Sequence, residues 1–198
     1  MLEKLIGENN PLTAALLIVE QLQSGKLTKA ELKTKIFGDH WRNECWQEVL
    51  RLIAGGLDED SVSDVIEYLI LQNGQEEKFI NLFLAAQCLR ETRNRDRVTV
   101  DTKLLNCFKS LCQYGTGFLI LYQSAQELQE TYQVRSQAIR AIAATWKHQP
   151  ETLTWLLNLA ESTDTGEIRA TAVQELARGW PDAGNIYILL KTLAQSDG

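Results

Sequence analysis

Proline is scarce in this chain: Pro11, Pro150 and Pro181 are the only three in 198 residues, and no stretch is rich in Gly, Ser or Pro. That excludes a flexible linker between distant domains and leaves tight turns as the internal boundaries. Cysteine is thin as well. Cys45, Cys88, Cys107 and Cys112 lack the density of a disulfide-stapled secreted fold and fall at apolar-face positions, so reduced, buried thiols are expected. Long apolar runs are missing, since the longest, Ala14 to Val19, is far too short to span a bilayer. Met1-Leu2-Glu3-Lys4 lacks the basic start and apolar stretch of a secretion signal, and a cytoplasmic location is expected. Positive charge is in deficit: the net charge is −6 and the isoelectric point about 5.1. Such a chain repels a phosphate backbone, which argues against a nucleic-acid partner. Arg90, Arg93, Arg95 and Arg97 form one basic cluster, but Glu91, Asp96 and Asp101 interrupt it and no aromatic residue is interleaved for base stacking. It reads as a solvated helix end.

What is present is helical periodicity. Apolar residues recur at the spacing of one helix face over residues 12–22, 28–36, 40–54, 61–72, 76–91 and 100–113, then over 117–130, 134–147, 151–161, 167–180 and 185–195. Alternating β-branched runs bounded by hairpin turns are lacking. Thr28 with Glu31, and Ser61 with Asp64, offer side chains that could satisfy the free amides of a first helical turn. Gly55-Gly56, Gly74 and Gly115 fall in the gaps.

The informative feature is an internal repeat. Val134-Arg-Ser-Gln-Ala-Ile-Arg-Ala-Ile-Ala-Ala-Thr-Trp146 aligns with Ile168-Arg-Ala-Thr-Ala-Val-Gln-Glu-Leu-Ala-Arg-Gly-Trp180 at a period of 34 residues. Downstream, Leu156, Leu159, Ala160 and Ser162 fall on Leu190, Leu193, Ala194 and Ser196. Each first helix carries an apolar stripe: Val134, Ala138, Ile139, Ile142, Ala143 and Trp146 in one copy, Ile168, Ala172, Val173, Leu176, Ala177 and Trp180 in the other. The same ruler catches Trp41, Cys45, Trp46, Val49, Leu50 and Ile53, with Arg42 in the place of Arg135 and Arg169, and also Ile80, Leu84, Ala85, Cys88 and Leu89. A repeat of this length signals stacked helix pairs, none of which covers its own apolar face. The predicted fold is therefore all-α: a right-handed α-α superhelix of stacked antiparallel helix pairs. Small Ala138 and Ala172 let helices approach, and the large Trp146 and Trp180 close the layer.

The Val/Ile-Arg-x-x-Ala-Val/Ile-x-x-Leu/Ile-Ala pattern of both copies, with the acidic loop Ser162-Thr163-Asp164 before the second, resembles HEAT-like repeats. His40-Trp41-Arg42-Asn43-Glu44-Cys45-Trp46 through Gly55 resembles the helical region that follows the nucleotide-binding part of bacterial, particularly cyanobacterial, NACHT-type signalling ATPases. Asn81-Leu82-Phe83-Leu84-Ala85-Ala86-Gln87-Cys88-Leu89, followed by Arg93-Asn94-Arg95, is similar to its next segment, and Ala177-Arg178-Gly179-Trp180 to its closing repeats. The resemblance covers about residues 40 to 198. It implies three parts: an N-terminal helical segment, residues 1–38; degenerate repeats, 39–131; and two HEAT-like repeats, 132–198. It also implies a sensing, protein-binding end without an enzyme activity or cofactor of its own, ATP being handled elsewhere. An alternative is an enzyme or chaperone on the same scaffold, such as the phycobilin lyases of cyanobacteria, which would bind a tetrapyrrole. A purely structural scaffold is a third.

Other chemistry finds little support. A phosphate loop needs Gly, four residues, then Gly-Lys-Ser/Thr; at Ser24-Gly25-Lys26-Leu27, Glu20 replaces the first Gly and Leu27 the hydroxyl, so no nucleotide site is expected. Cys107 and Cys112 with His40 or His148 lack the paired spacing of a zinc site, and scattered Cys and His do not specify a thiol protease. Asp58, Glu59 and Asp60 suit the positive end of a helix dipole. Arg135 and Arg169, placed alike in successive copies, suggest a hydrogen-bond ladder between loops that includes Asp164, with an anionic ligand as the alternative. Trp155 lies slightly off the stripe of Leu153, Leu156, Leu157 and Ala160. It is the candidate contact for a protein partner, packing being the competing role. Ser196-Asp197-Gly198 stands where a third unit would begin, which fits a cut chain and a capping end equally.

Overall fold

A computed structural model describes residues 10–115, 124–162 and 165–181. Among them every regular element is helical: α1 (Pro11–Gln23), α2, α3 (Glu44–Gly55), α4 (Glu59–Ile70), α5 (Ile80–Glu91), α6 (Asp101–Leu111), α7 (Ala125–Thr145), α8 (Pro150–Ala160) and α9 (Gly166–Gly179). Helix α2 is composite, running from Lys29–Glu31 through a π-helical Leu32–Phe37 into Gly38–His40. None of these is long and apolar enough to cross a membrane. The expected helix over 185–195 lies outside the described residues, as does most of the first part of 117–130.

Local chemistry explains the boundaries. Thr28 and Glu31 form the expected capping box at the start of α2, each side chain accepting the other residue's backbone amide. Helix α4 begins earlier than expected: Asp58 is its cap, accepting the Ser61 amide at 2.8 Å, while Glu59 and Asp60 occupy the first turn. Ser61 with Asp64 therefore does not start it, because the carboxylate three residues upstream is the stronger acceptor. Pro11 and Pro150 take first-turn positions, where no amide is missed.

The largest departure is α7. Two helices, over 117–130 and 134–147, are expected there, but Ala125–Thr145 is one helix of 21 residues. Nothing between Glu130 and Arg135 breaks a helix, and a change in the phase of the apolar pattern is not a break in the backbone. Ser124 and Glu127 cap it with a second capping box.

The chain forms two compact units, Met1–Cys107 and Phe108–Gly198. In the first, α1 packs on α3, α3 on α5, α2 on α4, and α4 on α5. Its core is drawn from every layer, with Ile18, Phe37, Trp41, Leu50, Ile53, Ile66, Leu69 and Leu84 fully buried. Two close approaches fix the joints. A Cβ on Gly38 would come within 2.6 Å of the Tyr68 hydroxyl of α4, and one on Gly74 would overlap the Asn81 side-chain oxygen. Asn81 itself is buried and donates to the Leu69 and Gln72 carbonyls at 2.8 and 3.0 Å, satisfying the open C-terminal end of α4. The connection into α5 carries two successive left-handed residues without glycine, Lys78 (φ 52°) and Phe79 (φ 63°).

In the second unit α9 packs on both α7 and α8. The stripe Val134, Ala138, Ile139, Ile142, Ala143 and Trp146 is wholly buried. In the second copy Ile168, Ala172 and Leu176 are buried, Val173 and Trp180 are half-buried and Ala177 is exposed.

Candidate functional site

The helices of each unit pack both on the next in sequence and on the next but one, and polar side chains bridge several of these contacts. In the first unit Arg42 donates to Glu77 at 2.5 Å, 35 residues away, and Asn94 to Glu59, also 35 away. Arg51 donates to Glu91, 40 away, and Lys103 to Glu67, 36 away, at 2.7 and 2.6 Å. Lys29 reaches Asp58, 29 residues on, at 3.2 Å. In the second unit the Thr171 hydroxyl, which donates to the Glu167 carbonyl of its own helix at 2.9 Å, lies 3.2 Å from the Ser136 hydroxyl, 35 residues back. Arg140 stands 4.0 Å from Glu175, which is only 8 % exposed. Separations of 35 or 36 residues recur in both units, close to the 34-residue period of the sequence repeat.

The three arginines at equivalent repeat positions do different things. Arg135 is 1 % exposed and its Nε donates to the Cys112 carbonyl at 2.6 Å, just beyond the last turn of α6. A guanidinium there satisfies an open carbonyl and lies at the negative end of a helix dipole. Arg169, in the first turn of α9, is half-buried, and Asp164 lies outside the described residues. Arg42 is exposed, stacks over Trp41 at 3.9 Å and pairs with Glu77. The copies diverge because Arg135 sits nearly three turns inside α7, whereas the residues before Ile168 include Ser162, Thr165 and Gly166, which end a helix before they can lengthen one.

Trp146 and Trp180 end their helices alike, each donating its backbone N–H to the carbonyl four residues back at 2.9 Å. Trp146 is buried against Phe108, edge to face at 5.9 Å between centroids. Trp180 is half-open. On α8, Thr152, Leu156 and Ala160 form the buried side, and Leu153, Trp155, Leu157 and Leu159 are each half-buried. Trp155 and Leu159, four residues apart, share one side of that helix. Trp155 is therefore neither locked in the core nor fully open.

Among the described residues no three His, Cys, Asp or Glu side chains come together as a metal site. Burial pushes the Cys88 thiol up to about 12, and burial raises Cys107 as well, which keeps both protonated and poorly nucleophilic. Cys88 and Cys112 are buried and Cys107 half-buried, but Cys45 is exposed. The expectation of a buried thiol fails at Cys45 because it falls in the first turn of α3, where Asn43 caps its amide. His40 stacks on Trp46 at 3.7 Å. Ser24-Gly25-Lys26 is the turn that closes α1, with Ser24 and Gly25 donating to Glu20 and Leu22 and Gly25 at φ 72°. In the basic cluster Arg95 pairs with Asp101 at 3.0 Å, and Arg90 lines a polar hollow of about 230 Å³ where Arg51 already binds Glu91.

No protein-family model, curated protein or solved structure matches this chain.

Proposed function

We propose that the chain is a HEAT-like α-α superhelix that works as a non-catalytic protein-recognition module, on the sensing side of a NACHT-type signalling ATPase. The single observation that carries the reading is the recurrence of polar bridges at 35 residues in both units, on Arg42–Glu77 in one and Ser136–Thr171 in the other. Arrays of this kind present an extended side built from successive helices, and partners dock along it. The half-buried apolar row on α8, with Trp155 beside Leu159, suits the aromatic anchor of such an interface.

The test is affinity capture from a lysate of the source cell with the wild-type chain and Trp155→Asp side by side. The reading expects a partner held by the former and lost by the latter, both being folded by circular dichroism. No partner on either chain, or hydrolysis of ATP by the purified protein, would overturn it.

A further inference from the structure

A cleft of about 450 Å³ lies between the end of α1, the turn that follows it and the α3–α4 connection. This volume falls within the range of small-ligand sites, roughly 300–1,000 Å³. Four half-buried apolar side chains, Val19, Leu22, Leu27 and Leu57, line its body. Its walls are held close because Gly56 faces Val19 so tightly that a Cβ there would come within 3.1 Å of the valine methyl. The rim is polar, with Lys29 and Asp58 facing each other at 3.2 Å.

The two rim charges are unequal in what they have left to offer. Asp58 accepts the Ser61 amide at 2.8 Å, the Ser61 hydroxyl at 3.0 Å and the Lys29 ammonium on both oxygens. Its acceptor capacity is engaged, so a ligand cation gains little from it. An ammonium has three donors, and among the described residues those of Lys29 reach one carboxylate, Asp58. The polar group this rim can add is an acceptor, and a carboxylate is the strongest available. We infer that the cleft binds an apolar chain ending in a carboxylate, whose tail lies against Leu22, Leu27 and Leu57 and whose head pairs with Lys29. Two sources share that chemistry: a free fatty acid, and the C-terminal carboxylate of a peptide with apolar last residues. The site is built from residues of the first unit alone and does not depend on the recognition role proposed for the chain.

Isothermal titration of the full chain tests this with decanoate, with decylammonium, and with a peptide ending in Leu-Leu as free acid and as amide. Expected is saturable one-to-one binding of decanoate, of the peptide acid or of both, with decylammonium and the amide far weaker. Which of the two acids binds identifies the source. Lys29→Met keeps the side-chain stem, removes the charge at an exposed position, and should weaken binding about tenfold. Leu27→Trp, placed to fill the cleft, should abolish it. Binding of decylammonium as tight as decanoate, an unchanged affinity in Lys29→Met, or no saturable binding of either acid would each overturn the inference, and none of these requires the tryptophan variant to fold.

Discussion

Both units carry a polar bridge between residues 35 apart, but the chemistry of their bridges differs. In Met1–Cys107 the bridges are charged and lie at the surface, on Lys29–Asp58, Arg42–Glu77, Arg51–Glu91 and Lys103–Glu67. In Phe108–Gly198 the hydrogen-bonded ones are buried, on Ser136–Thr171 and on Arg135 with the Cys112 carbonyl, and only the looser Arg140–Glu175 pair, 4.0 Å apart, is charged on both sides and partly open among the described residues. Exposed pairs contribute little to stability, since water screens the attraction and long side chains lose freedom. A buried donor or acceptor that loses its partner costs its full desolvation. The contrast teaches that spacing is set by the apolar layers, whereas the energetic weight of a bridge is set by its depth.

The largest expected effect separates the two copies of the repeat. Trp146→Ala should cost about 3–5 kcal/mol, as for a fully buried aromatic residue, while Trp180→Ala, at a half-buried position, should cost less than half as much. Urea unfolding of both variants checks this, and equal losses would mean that the two tryptophans have equivalent surroundings. Next comes the arginine pair. Arg135→Met should cost about 1–3 kcal/mol by removing the buried donor to the Cys112 carbonyl, and Arg42→Met less than about 1 kcal/mol. The same unfolding series reads both, and a reversed order would break the depth argument.

The smallest effect is a pH dependence confined to the charged bridges. Hydrogen bonds from the Ser61 amide, then from the Ser61 hydroxyl and Lys29, hold Asp58 below its ordinary value of 3.8 against the opposing effect of burial. A carboxylate with a lowered folded-state value contributes stability that is complete above the unfolded-state value and is lost as pH falls through the folded one. Asp58→Asn keeps a capping side chain and removes only the charge. Its deficit in melting temperature should be present at neutral pH and vanish as pH drops well below 3.8. The Ser136–Thr171 contact is between hydroxyls, so Ser136→Ala should show a deficit that does not change over the same range.

Much of the fold was legible in the sequence, because a helix that buries one face must repeat its apolar residues near every third or fourth position. The stripes 134–146 and 168–180 and the capping box at Thr28 follow from local rules. The continuity of α7 is hidden in the sequence because a shifted stripe looks like a break, although the Ser124–Glu127 box has the same spacing as that at Thr28. Lys78 and Phe79 carry no signal of their left-handed backbone, since glycine is the usual marker of such positions. The partners of Arg135, Arg42 and Lys29 could not be read at all: an arginine's spacing in the chain does not tell whether it will meet a carbonyl, a carboxylate or solvent. The cleft at α1 joins residues about 30 apart, from Leu27 to Leu57, and no local pattern encodes it.

The tier geometry is tested most directly by a cysteine pair at its best-buried bridge. Ser136→Cys with Thr171→Cys places two thiols where hydroxyls lie 3.2 Å apart, near the separation from which a disulfide closes. Mild oxidation of the folded double variant should give a dominant 136–171 cross-link by peptide mass spectrometry, even with Cys45, Cys88, Cys107 and Cys112 present. If both introduced thiols instead stay open to alkylation in the folded protein, or cross-link only to native cysteines, α7 and α9 do not stack at this step and the account fails.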